Sequence, residues 1–406
     1  MQRLNNLRAD FPRQFWIIFG GTLVNSTGSG MVFPFLTLYL HQRLNISITY
    51  VGVILMFWSA SALVGQIVGG SFTDRFGRKR LMVFSLASNA MMLALFGLAD
   101  SFIVAAVIVS ITGFVNALYQ PARDAMIADL VESEKRPQAY GLIRVVANLG
   151  IAIGPAIGGF LAAQSYLITF LSSATATFTY FLITTFLMRE TKPDVALHHA
   201  TDTAPGNLMT VLRDTRFVVF CIGGICCTIL AAQMMAVLPV YMKDQFGLGE
   251  TFFGWVMTTN AAMVVLLQLP ITRVTRKIPR LVLTATGALL YAFGVGGIAL
   301  GSAFPHFIAA MVVYTFGEMI LVPTSTAVTA DLAPANLRGR YMGMLGLTWS
   351  VGFGIGPIIG GLISEHIAPI ALWLITPIAG VLAAILFIVL QRRVTVRAQL
   401  HSQIVT

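Results

Sequence analysis

Long apolar runs separated by short polar connections follow one another along the chain from Phe15 to Leu390. Most exceed the roughly 20 residues that a helix needs to cross a membrane. They do not show the short alternating segments that are typical of membrane β-barrels. The pattern therefore predicts an all-α polytopic membrane protein with twelve transmembrane helices. These segments lie near residues 15–41, 49–71, 81–99, 102–128, 139–163, 166–188, 216–242, 250–270, 281–300, 304–330, 341–364 and 369–390.

The composition excludes a soluble globular protein, because only 10% of the residues are charged where roughly 25% is usual. The basic residues are also distributed unequally between the two sides of the predicted membrane. Of the 26 Lys and Arg, 22 lie on the side of the termini, and only Arg43 and Lys243 lie in connections on the other. The positive-inside rule then places both termini in the cytoplasm. We expect the protein to lie in the cell (inner) membrane. The net charge of +10 is thus explained by topology, and we expect no nucleic-acid partner.

The two halves of the chain match each other at a constant offset of 202 residues, without gaps. The match includes the pairs Pro121 and Pro323, and Asp129 and Asp331. It predicts an N-terminal six-helix bundle over 1–188, a cytoplasmic linker over 189–215, and a C-terminal bundle with a short cytoplasmic tail over 216–406. Duplicated bundles of this kind place a substrate site between the halves and expose it alternately. A duplicated channel or a scaffold is the alternative.

The connection GGSFTDRFGRKR, residues 69–80, combines a glycine turn, one acid and a basic cluster at the membrane surface. Positive-inside charge alone would explain the cluster. The spacing, however, resembles the signature loop of the major facilitator superfamily. The matching positions are Gly70, Asp74, Gly77, Arg78 and Lys79.

The resemblance implies a lock that holds the outward-facing state. Asp74 is expected to face the N-terminus of the eleventh helix, where the helix dipole favours a negative charge. Arg78 is expected to pair with Asp129 on the fourth helix.

A second motif, GLIRVVANLGIAIGPAIGG, occupies the fifth segment. It is similar to the fifth-helix motif of the drug:proton antiporters, and this likeness favours export over import. Gly150, Gly154 and Gly158 form a strip along which another helix backbone can approach closely, and Pro155 can bend the helix. The eleventh segment carries nearly the same pattern. The matching positions are Gly141, Gly150, Gly154, Pro155, Gly158 and Gly159.

The chain departs from the family in its fourth segment, where SITGFVNALYQ lacks the usual mid-helix Arg. Arg144 lies in the fifth segment instead, and Asp124 lies near the cytoplasmic end of the fourth. We predict that Arg144 pairs with Asp124. A structural ion pair and a part in proton coupling are both open for them.

One acid, Glu318, lies near the middle of the tenth segment in VVYTFGEMILVPT. A charge at that depth costs at least roughly 2.5–3.5 kcal/mol on insertion scales, so it must be neutral, paired or hydrated. Because burial raises the pKa of a carboxyl group, Glu318 is the candidate proton acceptor. Its face, which includes Thr315 and Ser325 and has Tyr314 beside it, is expected to line a cavity. A structural acid bonded to a neighbour is the alternative.

Polar and pliable side chains inside the segments are the candidate substrate contacts. Asn116 is the repeat counterpart of Glu318, and methionines and aromatics suit a pocket for varied apolar ligands. Aromatic residues in such segments also serve packing. The candidates are Asn25, Asn116, Tyr119, Asn148, Gln233, Met234, Tyr314, Glu318 and Trp349.

These features predict a proton-coupled secondary transporter that exports amphipathic or cationic drugs by alternating access. Its expected partners are small amphipathic substrates, protons and membrane lipids, and we expect it to act as a monomer. A transporter of a specific metabolite or sugar is the alternative, and a non-transporting sensor or scaffold is a second. The sequence contains no nucleotide-binding G-x-x-x-x-G-K-[ST] motif and no catalytic or metal-ligand constellation, so we predict no cofactor and no enzymatic activity.

Overall fold

The computed structural model describes residues 10–192, 208–334 and 337–405, and the regular elements in these ranges are all helical. The predicted linker over 189–215 therefore lies largely outside the described residues. We number the long helices α1 to α12 in chain order. Their bounds are Arg13–Leu44, Ile48–Phe76, Arg78–Leu95, Phe102–Leu130, Arg136–Gln164, Tyr166–Leu187, Thr215–Ala232, Glu250–Thr275, Arg280–Gly297, Phe304–Leu332, Arg338–His366 and Pro377–Val405.

Shorter elements extend or join these helices. α7 continues through a π-helical turn, Gln233–Val237, into the helix Leu238–Phe246. A six-residue helix, Leu208–Arg213, precedes α7, and Pro369–Ile375 precedes α12.

Within the described residues, eleven helices are long and apolar enough to cross a membrane. α1 is not among them, although it is 32 residues long, and it carries the polar run Asn25–Gly30. Large apolar side chains remain exposed on these helices, as expected for lipid-facing positions; Phe186, Val274 and Leu300 are 77%, 81% and 83% exposed. The predicted all-α polytopic fold is confirmed.

The described chain forms two compact units. The N-terminal unit contains the residues up to 46, those from 54 to 192 and those from 248 to 261. The C-terminal unit contains 47–53, 208–247 and the residues from 262 onward. The first turns of α2 and α8 thus each belong to the unit of the opposite sequence half.

The two units use the same helix pairs, as the sequence repeat requires. In the N-terminal unit α1 packs on α5 and α6, and α3 packs on α4 and α6. In the C-terminal unit α7 packs on α11 and α12, and α9 packs on α10 and α12. Each pair in one unit has its counterpart six helices along the chain in the other.

The predicted glycine strip of α5 lies against the backbone of α1. A Cβ atom built on Gly154 would lie 2.6 Å from the Cα of Gly30, and one on Gly158 would lie 2.4 Å from the carbonyl oxygen of Met31. Neither position has room for a side chain. The expectation of close helix packing along this strip is confirmed.

The C-terminal unit repeats this packing with larger partners. Gly352 and Gly356 of α11 face Thr228 and Ala232 of α7. The same pattern therefore stabilises one helix pair in each unit, which is why it occurs in both halves of the sequence.

Candidate functional site

Glu318 lies at the centre of the 29-residue helix α10 and is partly buried within the C-terminal unit. The repeat counterpart Asn116 is likewise partly buried, in α4 of the N-terminal unit. A polar side chain at this depth thus occurs in each unit, one able to ionise and the other not.

The face of α10 beside Glu318 is packed at Tyr314 and Thr315 in this structure, and the lining of a cavity by this face stays a prediction. Thr315 has no exposed surface, and its hydroxyl donates to the carbonyl oxygen of Met311 at 2.7 Å. Tyr314 is 4% exposed because its ring lies on Tyr291 of α9, with centroids 4.3 Å apart. Tyr314 is therefore a buried neighbour of Glu318 in this structure.

Asp124 pairs with the adjacent Arg123 and not with Arg144 as predicted. The Nη2 of Arg123 lies 2.8 Å from Oδ1 of Asp124, and its Nε donates to the same oxygen at 2.9 Å. Arg144 is exposed and one helix away, on α5.

Arg123 also joins the Asp124 pair to a buried tyrosine cluster in the N-terminal unit. Its guanidinium lies 5.6 Å from the ring centroid of Tyr119, a cation–π contact. The hydroxyl of Tyr119 lies 2.9 Å from that of Tyr180 on α6. Sequence reasoning placed Tyr119 and Asp124 correctly on one helix but gave Arg123 no role. The absence of the usual Arg in the middle of α4 was the signal that a nearby Arg, such as Arg123, should have been considered for a role.

Other candidate substrate contacts fall into two groups. Asn148 and Trp349 are exposed within their units, and Trp349 stacks on Phe353 at 5.7 Å. Asn25 is buried, and its amide oxygen has no hydrogen-bond partner in the described part of the chain. Their roles as substrate contacts stay predictions.

Gln233 and Met234 begin the π-helical turn of α7, and neither has exposed surface. The Nε2 of Gln233 donates to the carbonyl oxygen of Gly356 at 2.8 Å. Its Oε1 would lie 2.2 Å from a Cβ on Gly360, so the side chain fills a groove that only glycine leaves open. Both residues are packed between helices in this structure, and their roles as substrate contacts stay predictions.

The connection between α2 and α3 is one residue long, shorter than the predicted loop. α2 continues to Phe76, so Gly70 is helical and forms no turn. Gly77 makes the turn alone, with φ of +97°, a conformation that favours glycine. A Cβ there would also lie 2.5 Å from Oε2 of Glu190.

Glu190 caps the N-terminus of α3 from the segment that follows α6. Its carboxylate accepts from the backbone N–H of Arg78 at 2.9 Å and of Lys79 at 3.3 Å. Partial burial favours the neutral acid, but the backbone donors outweigh it and lower the pKa of Glu190. The sequence interpretation missed this residue, because no local pattern links position 190 to position 78.

Arg78 donates to Asp129 on α4 at 2.9 Å, which is the pair that the family resemblance implies. The side chain of Arg78 is only 7% exposed. Asp74 lies one helical turn before Arg78, with its Oδ1 3.7 Å from Nη2 of Arg78, and its side chain is 73% exposed. The gating roles of these residues stay predictions.

The C-terminal unit contains the repeat counterpart of this pair, Arg280 and Asp331, which also form an ion pair. The constant offset between the halves carries both members, so the sequence contained enough information to predict it.

The motif of α5 has a second glycine face. A Cβ on Gly159 would lie 2.8 Å from the carbonyl oxygen of Glu250 and 2.9 Å from the Cα of Gly254, at the start of α8. Pro155 lies inside α5 without ending it, and its carbonyl oxygen is 3.2 Å from a Cβ on Gly254. Gly150 completes the first face, against Leu23–Thr27 of α1. The five residues of α5 in the predicted gate, Gly150, Gly154, Pro155, Gly158 and Gly159, therefore pack helices within the N-terminal unit, and their gating roles stay predictions.

Comparison with known proteins decides the family. Residues 18–241 and 220–403 match the family model described as Major Facilitator Superfamily. The chain belongs to the major facilitator superfamily. It is therefore a multi-pass membrane protein and a secondary transporter, and the predicted superfamily is confirmed.

Two relatives within this superfamily bear names that state an activity. The chain is 29% identical over 380 residues to the "Na(+), Li(+), K(+)/H(+) antiporter" of Planococcus maritimus, covering 86% of this chain and 89% of that one. It is 24% identical over 340 residues to the "Multidrug resistance protein MdtH" of Escherichia coli O1:K1, covering 82% of each. The chain is thus similar along most of its length to both.

Solved structures support the fold. A nucleoside transporter, NupG, superposes with a TM-score of 0.76 at 13% identity, covering 93% of this chain and 99% of that one. A bacterial homologue of the human lysosomal transporter Spinster superposes with a TM-score of 0.78 at 14% identity, covering 93% and 96%. At these identities the likeness shows the superfamily fold alone.

Proposed function

We propose that this secondary transporter is a proton-coupled exporter of amphipathic, often cationic compounds, with both termini in the cytoplasm. The observation that carries the proposal is Glu318, an ionisable side chain that is partly buried at the centre of α10. The similarity to a multidrug resistance protein and to a cation/proton antiporter supports it.

The exchange follows from competition for one carboxylate. A bare carboxylate inside the membrane is costly, and either a proton or a cationic substrate offsets that cost. Binding of one therefore displaces the other, and the coupling between them is reciprocal. Export results when the site changes sides only while it holds a proton or a substrate, so that each substrate that leaves is exchanged for a proton that enters.

A second candidate is exchange of monovalent metal cations for protons. The 29%-identical relative bears that name, and the similarity covers 86% of this chain. The same carboxylate would serve, since an acid that exchanges an organic cation for a proton can also exchange an inorganic one.

Transport in inverted membrane vesicles tests the proposal. An imposed pH gradient, acid inside, should drive uptake of ethidium by the wild type, and Glu318→Gln should reduce uptake to that of vesicles without the protein. The neutral amide cannot exchange a proton, which is the physical reason. Glu134→Gln, which removes an exposed carboxylate after α4, is the control and should transport normally.

Four results would change this assignment. Full proton-driven ethidium uptake by Glu318→Gln would remove Glu318 from the mechanism. Collapse of the pH gradient by NaCl, LiCl or KCl, without ethidium uptake, would favour metal-cation exchange. Gradient-driven uptake of one nucleoside or sugar alone would indicate a specific metabolite transporter, and no flux of any solute would favour a sensor.

A further inference from the structure

An exposed basic patch lies where α8 ends and α9 begins, in the C-terminal unit. Arg273 belongs to the last turn of α8, and Arg276 and Lys277 follow it in the short connection to α9. All three residues are exposed. Because they lie so close along the chain, their positive charges are close together. We call Arg273, Arg276 and Lys277 the α8–α9 basic patch.

Acidic side chains do not neutralise this patch. Within the described part of the chain none of its members forms an ion pair, and the neighbouring Arg280 is paired with Asp331 of α10. From residue 262 onward the sequence contains nine Lys and Arg and only three acids. Two of these acids, Glu318 and Glu365, lie at the middle of α10 and at the far end of α11. Asp331 is therefore the one acid of this stretch on the side of the patch.

The sequence repeat shows that this excess of positive charge is not required by the fold. At the offset of 202 residues, Arg276 is the counterpart of Asp74. Arg392, which is exposed on α12, is the counterpart of Glu190. In the N-terminal unit both acids lie at Arg78, Asp74 beside its guanidinium at 3.7 Å and Glu190 on its backbone N–H at 2.9 Å. Arginine thus replaces both acids in the C-terminal unit.

Membrane topology explains the basic residues but not the loss of the acids. The positive-inside rule counts Lys and Arg, and Asp and Glu contribute little to it. The N-terminal repeat is predicted to have the same orientation, and it keeps its acids beside its basic residues. The surplus charge of the C-terminal repeat therefore needs another explanation, and an anion from outside the chain supplies one.

The side chains around the patch indicate where this anion comes from. Leu269, Val274 and Ile278 are apolar, and they are 67%, 81% and 43% exposed. Exposed apolar side chains on a membrane-spanning helix face lipid. Cations that directly adjoin such side chains lie at the level of the lipid headgroups, where basic residues attract anionic lipids. The negative groups nearest to the patch are therefore headgroup phosphates.

We propose that the α8–α9 basic patch, together with Arg392 of the adjoining helix α12, binds the headgroup of an anionic phospholipid. The guanidinium and ammonium groups donate to its phosphate oxygens, and Val274 and Ile278 lie against its acyl chains. The lipid supplies the negative charge that Asp74 and Glu190 supply in the other unit. The patch contains none of the predicted site residues, so this inference is independent of the proposed function.

Lipid binding to the purified full-length protein in detergent tests the inference. Native mass spectrometry measures the binding of dioleoylphosphatidylglycerol, which is anionic, and of dioleoylphosphatidylcholine, which has no net charge. The wild type should bind the anionic lipid more tightly. A variant that combines Arg273→Gln, Arg276→Gln and Lys277→Gln should bind it more weakly, because each lost charge costs about fivefold in affinity. The three together should raise the Kd on the order of a hundredfold.

The matched control combines Arg75→Gln, Arg80→Gln and Lys192→Gln, three exposed cations around the counterpart connection of the N-terminal unit. It should leave the Kd for phosphatidylglycerol unchanged. An equal increase in the control would show that net charge alone governs binding and would overturn the inference. Equal affinity of the wild type for both lipids, or displacement of phosphatidylglycerol by an equal concentration of inorganic phosphate, would also overturn it.

Arg276→Asp is a second, independent test, because it restores the acid that the other repeat has at this position. It changes the charge by two and should raise the Kd for phosphatidylglycerol about 25-fold. This single substitution decides the matter if the triple variant does not fold, and an unchanged Kd would contradict the proposed site. Lipid binding is measured without a transported solute, so the result holds whether or not Glu318→Gln abolishes ethidium uptake.

Discussion

Arg78 and Arg280 occupy the same place in the two repeats but lie in different surroundings. The side chains of Arg78 and its partner Asp129 are 7% and 23% exposed, whereas those of Arg280 and Asp331 are 52% and 58% exposed. Water screens an exposed pair, while a buried one leaves an uncompensated charge when its partner is removed. The repeat preserves the pairing, but burial determines how much each pair contributes to the free energy of unfolding.

We therefore predict unequal effects for the same substitution in the two repeats. Arg78→Gln should lower the free energy of unfolding by about 3–5 kcal/mol, the range for breaking a buried pair. Arg280→Gln should lower it by about 0–1 kcal/mol. Denaturation of the purified variants in detergent measures both. Equal losses would show that burial of Arg78 has no energetic consequence.

The glycines of α5 show that the neighbouring helix α1 decides which of them are needed for close packing. On α5 some motif glycines contact α1 closely, whereas a Cβ on Gly141 would meet nothing within 4 Å. The sequence motif alone does not separate these two groups. The distinction arises from the register in which α1 lies along α5.

Substitution by alanine should separate them. Gly158→Ala should lower the unfolding temperature, because its Cβ would lie 2.4 Å from the carbonyl oxygen of Met31 and overpacking costs typically about 1–3 kcal/mol. Gly141→Ala is the control on the same helix and should leave the unfolding temperature unchanged or raise it, since alanine favours helix. Thermal unfolding of both variants measures this, and a matching loss in the control would refute it.

For the whole molecule, the number of membrane crossings depends on α1. The apolar runs of the sequence predict twelve crossings, and the described residues contain eleven helices that are long and apolar enough to cross a membrane. α1 packs on α5 and α6 within the N-terminal unit, so its polar face has helices to cover it. Packing of this kind lets a less apolar helix cross a membrane.

Reporter fusions and tags test the orientation. Alkaline phosphatase, which is active only outside the cytoplasm, should be active when fused after Asp100 or Gly247 and inactive after Ala333. An epitope tag at the N-terminus should be accessible to antibody in inverted vesicles but not in intact spheroplasts. Accessibility in spheroplasts would mean that α1 does not cross the membrane and that the positive-inside count misassigned the first connection.

The sequence by itself determined the all-helical membrane fold, the repeat and the position of Glu318 in its helix, and the family resemblance implied the Arg78–Asp129 pair. Hydropathy and spacing are properties of the linear chain, and a constant offset carries them from one half to the other. A lone acid in an apolar segment is also visible without any structure.

Only the tertiary structure decided which side chains meet. It paired Asp124 with Arg123, brought Glu190 to the start of α3, buried Gln233 against glycines of α11, and stacked Tyr291 on Tyr314. These contacts join residues on different helices or choose between neighbours on one. They depend on the rotation and register of packed helices, which arise from the fit of many side chains and leave no local pattern in the sequence.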